Sequence, residues 1–103
     1  MKRIYIAGAY SSDNVMGVLH NIGTGIKASA KILKEGNAPF CPWLDYHFAL
    51  EDSTIPKQAF YDYSMTWLEV CDEIHVLPGW ETSQGTIKEL ARATELHIPI
   101  TYL

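Results

Sequence analysis

Seven consecutive residues, Ser83-Gln84-Gly85-Thr86-Ile87-Lys88-Glu89, join an anion-holding turn to a carboxylate. Ser83 is a natural helix N-cap, because its hydroxyl accepts from a backbone N–H that has no partner inside the helix. A helix that starts at Gln84 presents further free N–H groups and the positive end of its dipole, which suits a phosphate. The hydroxyls of Ser83 and Thr86 add donors, and Gly85 leaves room for a ligand. Helical side chains lean toward the N-terminus of their helix, so Glu89 should lean back over Gly85 and Thr86. That makes Glu89 the carboxylate placed closest to any bound ligand. The same position also suits an acidic residue that only stabilises the helix dipole.

The other chemistry-bearing residues form no comparable group. His20, His47, His75 and His97 have no metal-ligand spacing, and Asp45-x-His47 alone is a weak signal. His75 lies in an apolar run and reads as a satisfied core residue. Trp43, Tyr46, Phe48 and Trp80 could stack on a base or simply pack the core. Cys41 and Cys71 have no evident histidine partner. With Met1-Lys2-Arg3 running straight into a strand pattern, they read as reduced thiols of a cytoplasmic protein. No metal and no cofactor is expected.

These residues need a scaffold, and the pattern of the chain supplies one. Short β-prone runs fall near residues 3–7, 38–41, 73–77 and 99–102. Helical spacing lies between them. One helix runs to about Glu35, with Ile22, Ile26, Ala30 and Leu33 on a stripe and Gly36 as its stop. A second starts with Pro56 at its first position, runs to about Val70 and places Phe60, Trp67 and Cys71 on a stripe. The third covers Gln84–His97 with Ile87, Leu90, Ala91 and Thr94 inward. Trp43–Thr54 reads as a longer connection with one helical turn. Strands separated by helices imply a parallel sheet with right-handed crossovers. The expected fold is α/β: a three-layer, Rossmann-like or flavodoxin-like domain with four parallel strands in the order 2-1-3-4.

Ligands of such sheets bind beyond the carboxyl ends of the strands, where the strand order reverses. That point lies between the first and third strands. The first loop there brings Gly8 and Tyr10, and the second brings Gly79, Trp80, Ser83 and Gly85. Trp43, Asp45 and His47 belong to a segment able to fold over the same end. Asp72 opens the third strand at the opposite end of the sheet and reads as structural.

Composition limits the partners. The chain has 103 residues, enough for one domain, with 48% hydrophobic and 19% charged residues. A net charge of −4 without a basic patch argues against a nucleic-acid polymer but leaves a single nucleotide open. No apolar run is long enough to span a membrane.

Three stretches carry a family resemblance. They are Ile4-Tyr5-Ile6-Ala7-Gly8-Ala9-Tyr10, Trp67-Leu68-Glu69-Val70-Cys71-Asp72 and Leu77-Pro78-Gly79-Trp80-Glu81-Thr82-Ser83-Gln84-Gly85-Thr86-Ile87-Lys88-Glu89. Together they resemble the nucleoside 2-deoxyribosyltransferase-like superfamily, and within it the small members with an LPGWE-x-S-x-G-x-x-x-E signature. The resemblance covers nearly the whole chain. A more distant similarity links Pro78, Gly79, Gly85, Thr86 and Glu89 to the PGG-x-GT-x-x-E loop of phosphoribohydrolases of the lonely-guy type.

The resemblance implies N-glycosidic bond chemistry in which Glu89 attacks the anomeric carbon and a covalent glycosyl-enzyme forms. It also implies a preference. Transferases acting on free nucleosides carry Asp six residues before the glutamate, whereas relatives that hydrolyse deoxynucleoside 5′-monophosphates carry Ser there, and here the residue is Ser83. The characterised relatives carry a further Asp where this chain has Ser64, and Asp45 is the candidate to replace it as acid. A non-catalytic nucleotide-binding or sensing domain is the alternative reading. Relatives close their pockets with a neighbouring subunit, so a homodimer or higher homo-oligomer is expected.

Overall fold

A computed structural model describes residues 1–103. The elements follow one another as β1 (Arg3–Ala7), α1 (Val15–Lys34), β2 (Ala38–Phe40), a 3-10 turn (Pro42–Asp45) and α2 (Tyr46–Glu51), and then as α3 (Lys57–Leu68), β3 (Glu73–Val76), a second 3-10 turn (Trp80–Thr82), α4 (Gln84–Glu95) and β4 (Ile100–Tyr102). All pairings are parallel and the strand order is β2-β1-β3-β4, as the alternation of strands and helices predicts.

Strand β1 sits at the centre, with Tyr5 opposite Phe40 on one side and Ile74 on the other. Alternate side chains of a strand point to opposite faces, and here both faces are covered. Tyr5 and Ala7 join Ile74, Val76, Leu68, Leu90 and Ala93 under α3 and α4. Ile4 and Ile6 join Ile32, Trp43 and Leu77 under α1 and the first 3-10 turn. The result is three layers with the sheet in the middle.

Local chemistry fixes the helix ends. The Asn14 side chain accepts from Gly17 N at 2.8 Å and starts α1. Gly36, at φ 92°, takes the left-handed conformation that ends it. Pro56 lies one residue earlier than expected, as the N-cap of α3 rather than its first helical residue. Helix α4 stops at Glu95 because His97 turns left-handed, at φ 58°. The Trp43–Thr54 connection holds more helix than the single turn expected: a 3-10 turn and then α2.

The buried faces of α1 and α4 are rotated from the apolar stripes expected of them. Helix α1 buries Gly25, Ser29 and Ile32, leaving Ile26 and Leu33 exposed. Helix α4 buries Thr86, Leu90 and Ala93, leaving Ile87 exposed. Close approach explains both. A Cβ at Gly25 would collide with the Trp43 indole, so only glycine lets α1 come down on that ring. The small polar residues in these faces carry no unpaired hydroxyl. Ser29 Oγ donates to Gly25 O at 2.8 Å, and Thr86 Oγ1 donates to Ser83 Oγ at 2.9 Å. On α3 the inward position is taken by Leu68, and Trp67 instead stacks on Phe40 with half its surface exposed. No helix is long and apolar enough to cross a membrane.

Candidate functional site

A cavity of about 700 Å3 opens beyond the carboxyl end of β1. That volume falls in the ~300–1,000 Å3 range of small-molecule sites. Its walls are the loop after β1, the Pro42–Asp45 turn, α2, the first two turns of α3 and the start of α4.

Glu89 enters this cavity from the second turn of α4. Its Oε2 accepts a hydrogen bond from the Tyr5 hydroxyl on the central strand. Burial disfavours the charged carboxylate and pushes its pKa up to about 7, against the Tyr5 hydrogen bond, which favours the charge. Tyr5 is itself driven well above the ordinary tyrosine range, first by burial and then by the neighbouring Glu89 charge, while Ser64 acts in the opposite direction. Tyr5 therefore stays a donor throughout the ordinary pH range.

A second carboxyl, Asp45, stands in the same cavity at the end of the 3-10 turn and is buried. Its Oδ1 accepts from the Tyr10 hydroxyl at 2.7 Å. Burial raises the Asp45 pKa, and the Tyr10 hydrogen bond offsets part of the rise. The phenol of Tyr10 is raised by burial and by Asp45. The indole of Trp43 donates to Ala9 O at 3.0 Å and anchors the loop that carries Tyr10. Gly8 lets that loop pass closely, since a Cβ there would lie 3.1 Å from Leu77 Cβ and 3.3 Å from the Trp43 ring.

The start of α4 forms the third wall. Ser83 Oγ accepts from Thr86 N at 3.3 Å and from Thr86 Oγ1 at 2.9 Å. A hydroxyl has two acceptor sites and one hydrogen, so the Ser83 hydrogen is left to donate. The Thr86 hydroxyl, considered above as a ligand donor, is committed to Ser83 and buried. Beside Gly85 there is open space, with no atom within 4 Å of where a Cβ would stand.

Of the residues singled out from the sequence, Glu89, Asp45, Gly8, Tyr10, Trp43, Ser83 and Gly85 line the cavity. His47, Gly79 and Trp80 lie outside its lining. His47 is exposed on α2. Gly79 sits at φ 88° and turns the chain into the second 3-10 turn. Trp80 packs on Tyr102 with ring centroids 5.6 Å apart. His75 is not the satisfied core residue expected: its Nδ1 is buried without a partner, and its Nε2 lies 3.6 Å from Glu73. No three His, Cys, Asp or Glu side chains gather as a metal-ligand set. Asp72 is at the far end of the sheet, accepting from Arg3 N at 2.8 Å and from the Arg3 guanidinium at 3.2 Å. That guanidinium and the backbone bond hold its carboxyl below the usual range.

Among the cavity residues not anticipated are Tyr5, Lys57, Tyr61 and Lys88. Tyr5 had a readable signal. It is the one buried side chain of the first strand with a polar tip, and a buried phenol needs a partner.

A family model described as "Domain of unknown function (DUF7768)" matches residues 2–103. No curated protein matches the chain. Among solved structures, the Clostridium botulinum CMP N-glycosidase BcmB superposes with a TM-score of 0.60 at 17% sequence identity, over 98% of this chain and 67% of that one. At that identity the likeness is one of fold.

Proposed function

The chain belongs to the DUF7768 family, and we propose that it cleaves the N-glycosidic bond of a (deoxy)nucleoside 5′-monophosphate. One observation carries the reading: Glu89, half-buried and hydrogen-bonded by Tyr5, opens into a nucleotide-sized cavity that also holds Asp45. The fold shared with a CMP N-glycosidase supports the reaction class, and the three stretches that resemble the nucleoside 2-deoxyribosyltransferase-like superfamily point the same way.

In this mechanism the Glu89 carboxylate attacks the anomeric carbon while the bond to the base nitrogen breaks. The electron pair of that bond leaves with the base, and Asp45 is the carboxyl placed in the cavity to deliver the proton that the base takes up. Water then hydrolyses the glycosyl ester, with Asp45 now as base, releasing the sugar phosphate and free Glu89. A second base in place of water would make the same intermediate a transferase. Gly8, Tyr10 and Trp43 shape the base side of the cavity, and Ser83 and Gly85 receive the phosphate. The test is incubation with a panel of deoxynucleoside and nucleoside 5′-monophosphates, followed by chromatography for free base. Release by the parent and none by Glu89→Gln is the expected result. The absence of free base with every nucleotide would overturn the enzyme assignment.

One observation favours a second reading, a non-catalytic nucleotide-binding domain. Ser64 lines the cavity near Tyr5, so no carboxylate of α3 stands beside Glu89. Calorimetry showing tight nucleotide binding without base release would select it. We also propose a homodimer or higher homo-oligomer, supported by the exposed aromatic side chains Phe48, Tyr63 and Trp67. Light scattering at tens of micromolar should give at least twice the monomer mass, and a monomer there would exclude the assembly.

A further inference from the structure

We propose that Lys57 and Lys88 form the cationic side of the phosphate subsite and make the cavity selective for a phosphomonoester dianion. The inference rests on the nucleotide reading above and adds the residues that set its charge preference.

The chain is acidic overall, with 12 Asp and Glu against 8 Lys and Arg. Cations at its cavity therefore stand out, and of the lysines and arginines only Lys57 and Lys88 line it. Both are free of ion pairs, whereas Lys2, Arg3, Lys31 and Arg92 are each engaged by a carboxylate. Neither cavity carboxyl is paired with them: Asp45 accepts from Tyr10 and Glu89 accepts from Tyr5.

Their placement is specific. Lys88 is on the second turn of α4, and a helical side chain leans back over the residues three and four before it. For Lys88 these are Gly85 and Gln84, the start of the helix where Ser83 offers its hydrogen. The Lys88 side chain is exposed, yet its ammonium has an aromatic partner. It is held 5.4 Å from the centroid of the Tyr61 ring, across the gap to α3. Lys57 is the first residue of α3, and Pro56 gives that helix start no side-chain cap. The cavity rim thus carries two ammonium groups and the starts of two helices, at α3 and α4. One phosphate dianion balances two ammoniums, while a neutral nucleoside draws nothing from either.

The test is equilibrium titration of the parent, Lys57→Gln, Lys88→Gln and the double variant with deoxynucleosides, their 5′-monophosphates and inorganic phosphate. Both lysines are exposed, so thermal melts of the variants should match the parent. The parent should prefer monophosphate to nucleoside. Each single variant should lose about 5- to 10-fold in monophosphate affinity, as expected for one charge-assisted contact near solvent, with nucleoside affinity unchanged. The double variant should lose most of the preference and most of its salt dependence. A double variant that keeps the full preference would overturn the lysine assignment alone. A parent that binds nucleoside and monophosphate equally would overturn both this assignment and the nucleotide reading.

Discussion

The Tyr5 hydroxyl donates to Oε2 of Glu89 and ties the central strand to the last helix across 84 positions of chain. This bond favours the charged carboxylate in a place where burial disfavours it. Removing it in Tyr5→Phe should raise the Glu89 pKa above its value of about 7. A hydrogen bond to a charged group is worth roughly 1.5–3 kcal/mol, so base release at neutral pH should fall about 10- to 100-fold. The acid limb of the pH–rate profile should move to higher pH. A profile unchanged in position would show that Tyr5 does not tune the nucleophile.

Glu89 should make the fold less stable as pH rises. Its folded pKa of about 7 lies above its ordinary value of 4.5. Below the ordinary value both folded and unfolded chains hold the proton, and burial costs nothing in charge. As pH rises toward 7 the unfolded chain loses its proton first, and stability falls by an amount on the order of 3 kcal/mol before levelling off. Glu89→Gln removes that loss. Its melting temperature should exceed the parent's at pH 8 and match it near pH 4. The same difference at both pH values would place the carboxylate in a polar environment.

Asp45→Asn tests the proton donor. Loss of a general acid slows expulsion of a poor leaving group by about 10²–10⁴. A substrate whose leaving group needs no proton should be cleaved by parent and variant alike. If both substrates slow equally, Asp45 holds the cavity in shape and transfers no proton.

Ser83→Asp separates the phosphate from the cap. Aspartate caps a helix as well as serine does, so the fold should be kept. The added charge would face the phosphate, and monophosphate affinity should drop below nucleoside affinity. Ser83→Ala should only weaken monophosphate binding. A Ser83→Asp variant with the parent's preference would place the phosphate elsewhere.

Two glycines of α1 should respond in opposite ways to alanine. At Gly25 the added methyl meets the Trp43 indole, and overpacking should cost about 1–3 kcal/mol. At Gly23 it meets nothing within 4 Å, and alanine should stabilise the helix by about 0.5–1 kcal/mol. Denaturant melts of the two variants would expose an error in either sign.

The sequence made the sheet legible because its signals were local. Arg3–Ala7 and Glu73–Val76 are short β-prone runs, and the helices between them leave parallel pairing as the simple solution. Ser83 was readable as a cap from its type and place. What escaped depends on contacts between distant residues. Gly25 reads as a helix weakener until Trp43 is known to lie against it. Tyr5 reads as a phenol in need of a partner, and nothing local names that partner as Glu89. Lys57 and Lys88 lie 31 positions apart, and no local pattern joins them before α3 and α4 are placed on one rim. His47 and Trp80 lie close in sequence to cavity residues, yet one points to solvent and the other to Tyr102.

The position of β1, ahead of β3 in the chain and inside the sheet between β2 and β3, governs the order of assembly. On the ribosome, Ile4-Tyr5-Ile6-Ala7 is made long before Ile74 and Val76 exist to cover its second edge. Until then this strand is an unpaired, β-prone template, the kind of segment that joins wrong neighbours in a crowded solution. Its correct pairing requires the closure of long stretches of chain, which is slow compared with winding a helix. Glu89 acquires its phenolic partner only after that closure. A refolding chain should therefore recover its helical signal before it recovers base release, and the interval between them measures how long the central strand waits.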